Sequence, residues 1–401
     1  MKVPLLNLKL QYAQIKDEIK SSIDEVLESQ QFIFGPQVES FEKEIAHYTQ
    51  VDHAIGVSSG TDALLISLMA LEIGKGDMVI TSPFSFFSTA SSISRVGATP
   101  IFIDIDPLTY NISPRKINEA ISCLKEDQIK RVKAIMPVHL YGQCADMDSI
   151  VKIANKYNLN IIEDAAQALG AKYQNKDSAE LFHHAGSRSD FGCFSFFPTK
   201  NLGGYGEGGM VVTGRKLLAD KVQSLRHHGC RSQQEQYYYD IIGINGRFDA
   251  LQAAVLKVKL KHLDQWTTKR RLNADNYNKL FKETGLVSDI DDHKLEGSSI
   301  GLPYVEDGNY HVFNQYVIRA RERDKLREFL NQHGIGSGIY YPLPIHLQQC
   351  YLELGYKEGS FKEAERAATE VLALPVYPEL TGKQQELVVA TTEQFYKKSN
   401  S

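Results

Sequence analysis

The sequence predicts an α/β protein: a large domain on a mostly parallel sheet with helices on both faces, then a smaller C-terminal αβ domain. Three observations predict it. Short strand-like runs alternate with helix-patterned stretches through the first part of the chain, the rhythm of a parallel sheet. The polar and glycine-containing turns of this part follow strands, as ligand-binding loops of such sheets do. From Arg247 a long helical pattern begins, and beyond it the alternation is lost. These features place a large domain over residues 1–255 and a smaller one over 256–401.

The elements follow in order. Ile15–Glu28 repeats apolar residues at helical spacing, and Pro36 stands at the first turn of a second helix over Gln37–Tyr48. His53–Val57 reads as a strand that runs through Ser58-Ser59-Gly60-Thr61 into a helix reaching Leu71. A strand, a small polar turn and a helix N-terminus form either a phosphate site or a plain cap by Ser59 or Thr61. Met78–Thr81 is a strand, Ser82–Ser88 an aromatic loop, and Pro100–Ile105 and Val132–Val138 are strands. Met147–Tyr157 is a helix leading to strand Asn160–Glu163, with Asp164 at its end. The runs FGCFSFF from Phe191 and Met210–Thr213 are strands flanking a loop that carries Lys200. One helix spans Arg247 to about Phe281. The smaller domain reads as strand Asn309–Arg319, helix Glu322–His333, strand Ile335–Tyr341, loop Tyr341–His346, and helices Phe361–Leu372 and Thr381–Tyr396.

Composition narrows the class. At 401 residues with 42 % hydrophobic and 23 % charged side chains the chain is of ordinary globular make-up. A net charge of −4 advertises neither nucleic acid nor an anionic membrane. Five scattered cysteines without a CxxC fit reduced thiols of a cytoplasmic protein better than a disulfide frame or a zinc site. The N-terminal run MKVPLLNLKLQYAQ has no 7–15-residue apolar core of the kind a signal peptide needs, and no apolar stretch approaches 18 residues. His183-His184 is expected to be a solvated loop pair, not a metal site. Gly204–Gly209 matches GxGxxG, but it precedes a strand instead of opening a helix, which excludes a dinucleotide fingerprint.

Lys200 and Asp164 carry the chemistry. A lysine on a loop between strands can be held in a cleft, where burial lowers its pKa and frees the amine to form a Schiff base. A lone loop lysine is more often solvated. Asp164, at a strand end facing the same edge, changes the balance, because a lysine and an aspartate paired with a pyridinium nitrogen are what pyridoxal phosphate requires.

In order and spacing, FIFGPQVESFEKEIA, SGTDAL, PVHLYGQ, EDAAQALGA, FSFFPTKNLGGYGEGG, NGRFDALQAA, YPLPIHLQ and LALPVYP resemble the DegT/DnrJ/EryC1/StrS sugar aminotransferases nearly end to end. That resemblance implies the aspartate-aminotransferase fold (fold type I of pyridoxal-phosphate enzymes) with a seven-stranded sheet. It implies that Lys200 attaches the cofactor and moves the proton, that Asp164 pairs with the ring nitrogen, and that Gln167 bonds the ring's 3-oxygen. Phe86 is implied to stack on the ring, with Phe84 and Phe87 left to core packing, and Gly60, Thr61 and Ser195 to hold the phosphate. Asn245 and Arg247 are implied to reach phosphate and nucleotide-sugar across a homodimer interface, and Tyr340 and Tyr341 to contact the sugar. Tyr340 departs from the histidine that relatives often carry, and Ser178–Ser189 looks longer than theirs.

Relatives with histidine in place of this lysine perform dehydration, so for Lys200 the resemblance implies amino transfer. The PVHLYGQ form resembles members acting on 3-keto nucleotide-sugars, with L-glutamate as the implied donor and cell-surface glycan, lipopolysaccharide or antibiotic sugars as possible ends. A 4-keto sugar or amino-cyclitol enzyme, and a regulatory or sugar-nucleotide-binding protein on the same scaffold, are the alternatives.

Overall fold

The computed structural model describes residues 1–175, 178–231, 237–287, 295 and 297–399. Its large sheet contains β1 (His53–Val57), β2 (Met78–Thr81), β3 (Thr99–Phe102), β4 (Val132–Met136), β5 (Asn160–Asp164), β8 (Phe191–Ser195) and β9 (Gly209–Thr213). Two strands outside that sheet, β6 (Lys172–Asn175) and β7 (Ser178–His184), intervene in the chain. The order is β1-β9-β8-β5-β4-β2-β3. Only β9 runs antiparallel to its neighbours, so the carboxyl ends of the other six face one edge. These strands are short and almost wholly buried, the mark of a sheet covered on both faces.

Helix Leu8–Ser29 turns Ile15 and Ile19 onto Val255, Val258 and Trp266. Helix Pro36–Thr49 begins with Pro36 in its first turn. Helix Gly60–Ala70 is capped by Ser59, whose side chain accepts from Asp62 N at 3.0 Å. The helical pattern from Arg247 is not one helix. It divides into Ala250–Leu260 and Leu263–Glu283 at Lys261-His262. No glycine or proline marks this corner; the first helix packs on Leu8–Ser29 and Pro36–Thr49, the second against Gly382–Ser399, and those separate beds impose the turn. Residue 255 falls inside the first of them.

Three further strands follow: β10 (Ile300–Gly301), β11 (Asn309–Tyr310) and β12 (Tyr316–Ala320), with β13 at Val371–Leu374. The expected strand Asn309–Arg319 is therefore split. Its start pairs with β6, giving the sheet β11-β6-β7, while its end joins β10-β12-β13. The expected strand Ile335–Tyr341 reduces to single bridges, Val3 with Ile335 and Gly338 with Ala373. The helix expected over Phe361–Leu372 is Lys362–Glu370, because Val371 and Leu372 belong to the buried strand β13. The small sheet packs with Val3, Tyr277, Phe281, Leu326 and Val388 into a second core. His183 and His184 lie on β7 rather than on a solvated loop; His184 is buried against Tyr48, and burial holds its pKa down to about 4. No helix among the described residues is long and apolar enough to cross a membrane.

Candidate active site

At the carboxyl edge of the large sheet lies a cavity of about 440 Å³. The turn after β1 supplies Ser59, Gly60 and Thr61; the loop after β2 supplies Ser85, Phe86 and Ser88; the segment after β4 supplies Val138 and Leu140. Asp164 ends β5, with Gln167 just beyond, while Ser195 ends β8 and Lys200 sits on the following loop. Gln315, Tyr340 and Tyr341 come from the C-terminal part of the chain and complete the wall. Nine of the residues singled out from sequence thus meet in one space: Gly60, Thr61, Phe86, Asp164, Gln167, Ser195, Lys200, Tyr340 and Tyr341.

The two ionisable groups are perturbed in opposite directions. Lys200 borders the cavity, but protein encloses its amine, and that burial lowers its pKa from 10.5 to about 8 against the pull of Asp164. Burial raises the Asp164 carboxyl above the ordinary carboxylate range, while bonds from Thr89 and Ala166 N and the charge of Lys200 oppose the rise. Thr89 Oγ1 donates to Asp164 Oδ2 at 2.7 Å and Ala166 N to Oδ1 at 3.3 Å. Thr89 in turn shares a 2.7 Å hydrogen bond with Ser85. The carboxylate is therefore held by donors that prefer its charged form.

Gln167 is fixed at both ends of its amide: Oε1 accepts from Tyr141 N at 2.7 Å, and Nε2 donates to Tyr341 Oη at 3.3 Å. Phe86 is 58 % exposed and its ring stands 6.1 Å from that of Tyr341. Phe84 is core, as expected, but Phe87 is 44 % exposed and leans on Tyr351 rather than packing inside. A Cβ at Gly60 would stand 2.7 Å from Ser195 Cβ, so only glycine lets the helix N-terminus and the end of β8 approach this closely. The cap and phosphate readings of this turn are compatible, since Ser59 caps the helix whose first residues line the cavity.

Asn245 and Arg247 are not brought to the cavity within one chain. Asn245 is exposed and bridges to His227, and Arg247 Nη1 lies 3.2 Å from His227 Nδ1. Sequence reasoning missed Thr89, Glu207 and Gln315. Thr89 carried one signal: a buried strand-end carboxylate needs side-chain donors. Gln315 carried none, and its Oε1 is buried without a partner among the described residues. Beneath the site, Glu163 accepts from His139 Nε2 at 2.6 Å, Gly186 N at 2.7 Å and Ser189 Oγ at 2.7 Å. Burial pushes its pKa up, but these donors outweigh it and keep the carboxylate ionised.

The residues present suit a flat, phosphorylated aldehyde: an amine with lowered basicity, a buried carboxylate lining the same cavity, an aromatic face, and a helix N-terminus beside a glycine that a Cβ would close. Comparison with known proteins agrees. The chain is 47 % identical over 397 residues, 99 % of either chain, to the "Pleiotropic regulatory protein" of Geobacillus stearothermophilus. It is 40 % identical, over 95 % of each chain, to a UDP-N-acetyl-3-dehydro-alpha-D-glucosamine 3-aminotransferase of Acidithiobacillus ferrooxidans. Its fold matches NtdA of Bacillus subtilis, solved with bound cofactor PMP, at a TM-score of 0.83 and 32 % identity, covering 98 % of this chain and 85 % of that one. With residues 13–393 also matching the family model, the chain belongs to the DegT/DnrJ/EryC1/StrS aminotransferase family.

Proposed function

We propose that the protein is a pyridoxal-phosphate-dependent aminotransferase that converts a 3-keto nucleotide-linked sugar to the amino sugar, with L-glutamate as donor. The observation that carries this reading is the shared cavity of Lys200, its pKa lowered to about 8, and the donor-held carboxylate of Asp164. When bound, pyridoxal phosphate supplies the electron sink and the carbonyl that takes up and passes on the amino group. The protein's side chains do the rest. Gly60, Thr61 and Ser195 hold the phosphate at the helix N-terminus. Phe86 covers the ring, Asp164 keeps the ring nitrogen protonated, and Gln167 bonds the ring oxygen. The Lys200 Nζ, neutral in a useful fraction near neutral pH, would attach the cofactor and then carry the proton between the nitrogen-bearing substrate carbon and the cofactor's aldehyde carbon.

In the same reading the chain divides into a cofactor-binding domain over 1–255 and a smaller domain over 256–401 that closes the substrate side with Tyr340 and Tyr341. A homodimer accounts for Asn245 and Arg247, which lie outside the cavity of their own chain and serve that of the partner. The exposed apolar run beside them, with Tyr237 85 % and Ile242 91 % exposed, supports a second copy as its cover. An arginine fork there suits a nucleotide diphosphate. The name of the Acidithiobacillus relative supports a 3-keto substrate. The free cysteines support a cytoplasmic location.

A regulatory role is the second reading, favoured by the name of the Geobacillus relative. One experiment separates them. Purified protein with pyridoxal phosphate is given glutamate and a panel of 3-keto and 4-keto UDP-, dTDP- and GDP-sugars, and products are found by mass. A visible absorption that bleaches with glutamate, and a 3-amino product that Lys200→Ala abolishes, are expected. Turnover unchanged in Lys200→Ala refutes the mechanism, and a folded protein that aminates none of the panel favours the regulatory reading.

A further inference from the structure

Behind the loop that carries Lys200 lies a second buried amine, which the reaction does not use. Lys259, on helix Ala250–Leu260, is 1 % exposed, and no carboxylate among the described residues pairs with it. Its Nζ donates to the Gly203 carbonyl at 2.5 Å and stands 4.8 Å from the centre of the Tyr205 ring. An ammonium enclosed without a carboxylate is unfavourable, and an aliphatic side chain would serve a core position better unless the contact itself is used.

The contact has a companion. Gln252 is seven residues earlier, two turns along the same helix face, and its Oε1 accepts from Tyr205 N at 2.8 Å. One helix thus engages a carbonyl at 203 and an amide at 205. On the other side the loop is tied to the end of β8, through Lys200 N to Phe197 O at 2.9 Å and Gly204 N to Phe196 O at 2.8 Å. The turn is tight: a Cβ at Gly203 would meet the Pro198 carbonyl O at 2.3 Å, and one at Gly204 would push on Gln252 Oε1 at 2.8 Å.

We propose that Lys259 and Gln252 are positioning residues, a clamp that fixes the Lys200–Tyr205 turn and so aims the reacting amine. A buried carbonyl deprived of its donor drives the backbone to rearrange, and a nucleophile displaced by a fraction of an ångström loses much of its rate. The bond from a cation is stronger than one from a neutral donor, which accounts for lysine where an uncharged residue would be easier to bury. This inference rests on Lys200 being the reacting amine, but the first measurement below does not.

Lys259→Met keeps length and apolar volume and removes the donor. In the full chain, with and without pyridoxal phosphate, hydrogen exchange of the amides over 198–207 is expected to quicken at least about tenfold, with the flanking strands unchanged. With glutamate and the sugar substrate, kcat per bound cofactor falls at least about tenfold while KM for the sugar stays within about twofold. Gln252→Ala, which leaves the buried lysine in place, is expected to quicken the same amides by about threefold, and it decides the matter should Lys259→Met not fold. Exchange over 198–207 equal to wild type, or faster exchange with wild-type kcat, overturns the clamp. A lower melting temperature with neither change marks a merely structural lysine and overturns it equally. Failure of the wild type to aminate any sugar instead counts against the proposed function, and the exchange result still judges the clamp.

Discussion

Replacing Lys200 by methionine should inactivate the protein and, below pH 8, stabilise it. The reason lies in the solvation of one amine. In the unfolded chain a lysine keeps its proton to pH 10.5, whereas burial makes Lys200 release it at about 8 in the fold. Between those values unfolding takes up a proton, so the stability of the wild type rises with pH; below about 8 both states are protonated and the fold carries the whole penalty. The interval from 10.5 to about 8, at about 1.4 kcal/mol per pH decade, sets an upper limit of about 3 kcal/mol. Water admitted by the cavity screens the charge and brings the expected gain to about 1–2 kcal/mol.

Methionine has a similar length and no charge, so it removes the penalty without opening a large void. Urea unfolding of cofactor-free wild type and Lys200→Met at pH 7 and pH 10 measures the gain, with equal m-values required for the comparison. The variant should be the more stable at pH 7, and the gap should shrink by roughly half at pH 10 as the wild-type amine loses its proton in the fold. A difference that is the same at both pH values would refute the reasoning, because the amine would then be as well solvated as any surface lysine. The lowered basicity invoked for its reactivity would have no physical source.

Three other perturbations probe the remaining parts of the site. Thr89→Val keeps the shape and removes the 2.7 Å bond to Asp164 Oδ2, so the carboxyl pKa rises and the acid limb of the visible-absorption titration should move up by about one pH unit; an unmoved limb would mean Thr89 does not hold the charge. Gly60→Ala puts a Cβ 2.7 Å from Ser195 Cβ and should weaken cofactor binding at least about tenfold by equilibrium titration, with the circular dichroism spectrum intact; full affinity would remove the phosphate from this turn. Lys200→Ala and Asn245→Asp, each inactive alone, should on subunit exchange recover about a quarter of wild-type activity, since half the dimers are mixed and each of those has one whole site. No recovery would count against sharing of the site across the interface.

What could be read from the chain beforehand follows from what a parallel sheet does. Strands of one direction deliver their carboxyl ends to one edge, so Gly60, Phe86, Asp164, Ser195 and Lys200, each at or soon after the end of a strand, meet although 140 positions separate the first from the last. The local pattern sets such positions, and a sequence displays local patterns. It does not display who faces whom. Thr89 reaches Asp164 across seventy-five positions, and the Asn309–Arg319 run is shared between two sheets because its two ends find different partners. The corner at Lys261-His262 has no breaker residue, since the beds on which the two helices lie decide it.

The same distinction governs the reactive amine. That position 200 is a lysine near an aspartate is legible; that its pKa falls to about 8 is not, because the fall comes from enclosure by protein that reaches Lys200 only through the fold. Tyr341, from the far end of the chain, is one such group: it lines the same cavity, bonds Gln167, and has its own hydroxyl pKa pushed up by burial. Opening that wall should therefore act on Lys200 without touching it. Tyr341→Ala admits water, returns the Lys200 pKa toward 10.5, and leaves a smaller neutral fraction at pH 7.5. The rate at which pyridoxal phosphate attaches to the cofactor-free protein should fall at least about threefold at that pH and recover as pH rises through 9 to 10. An attachment rate with wild-type pH dependence would show that the sheet-side residues alone set the basicity of the amine.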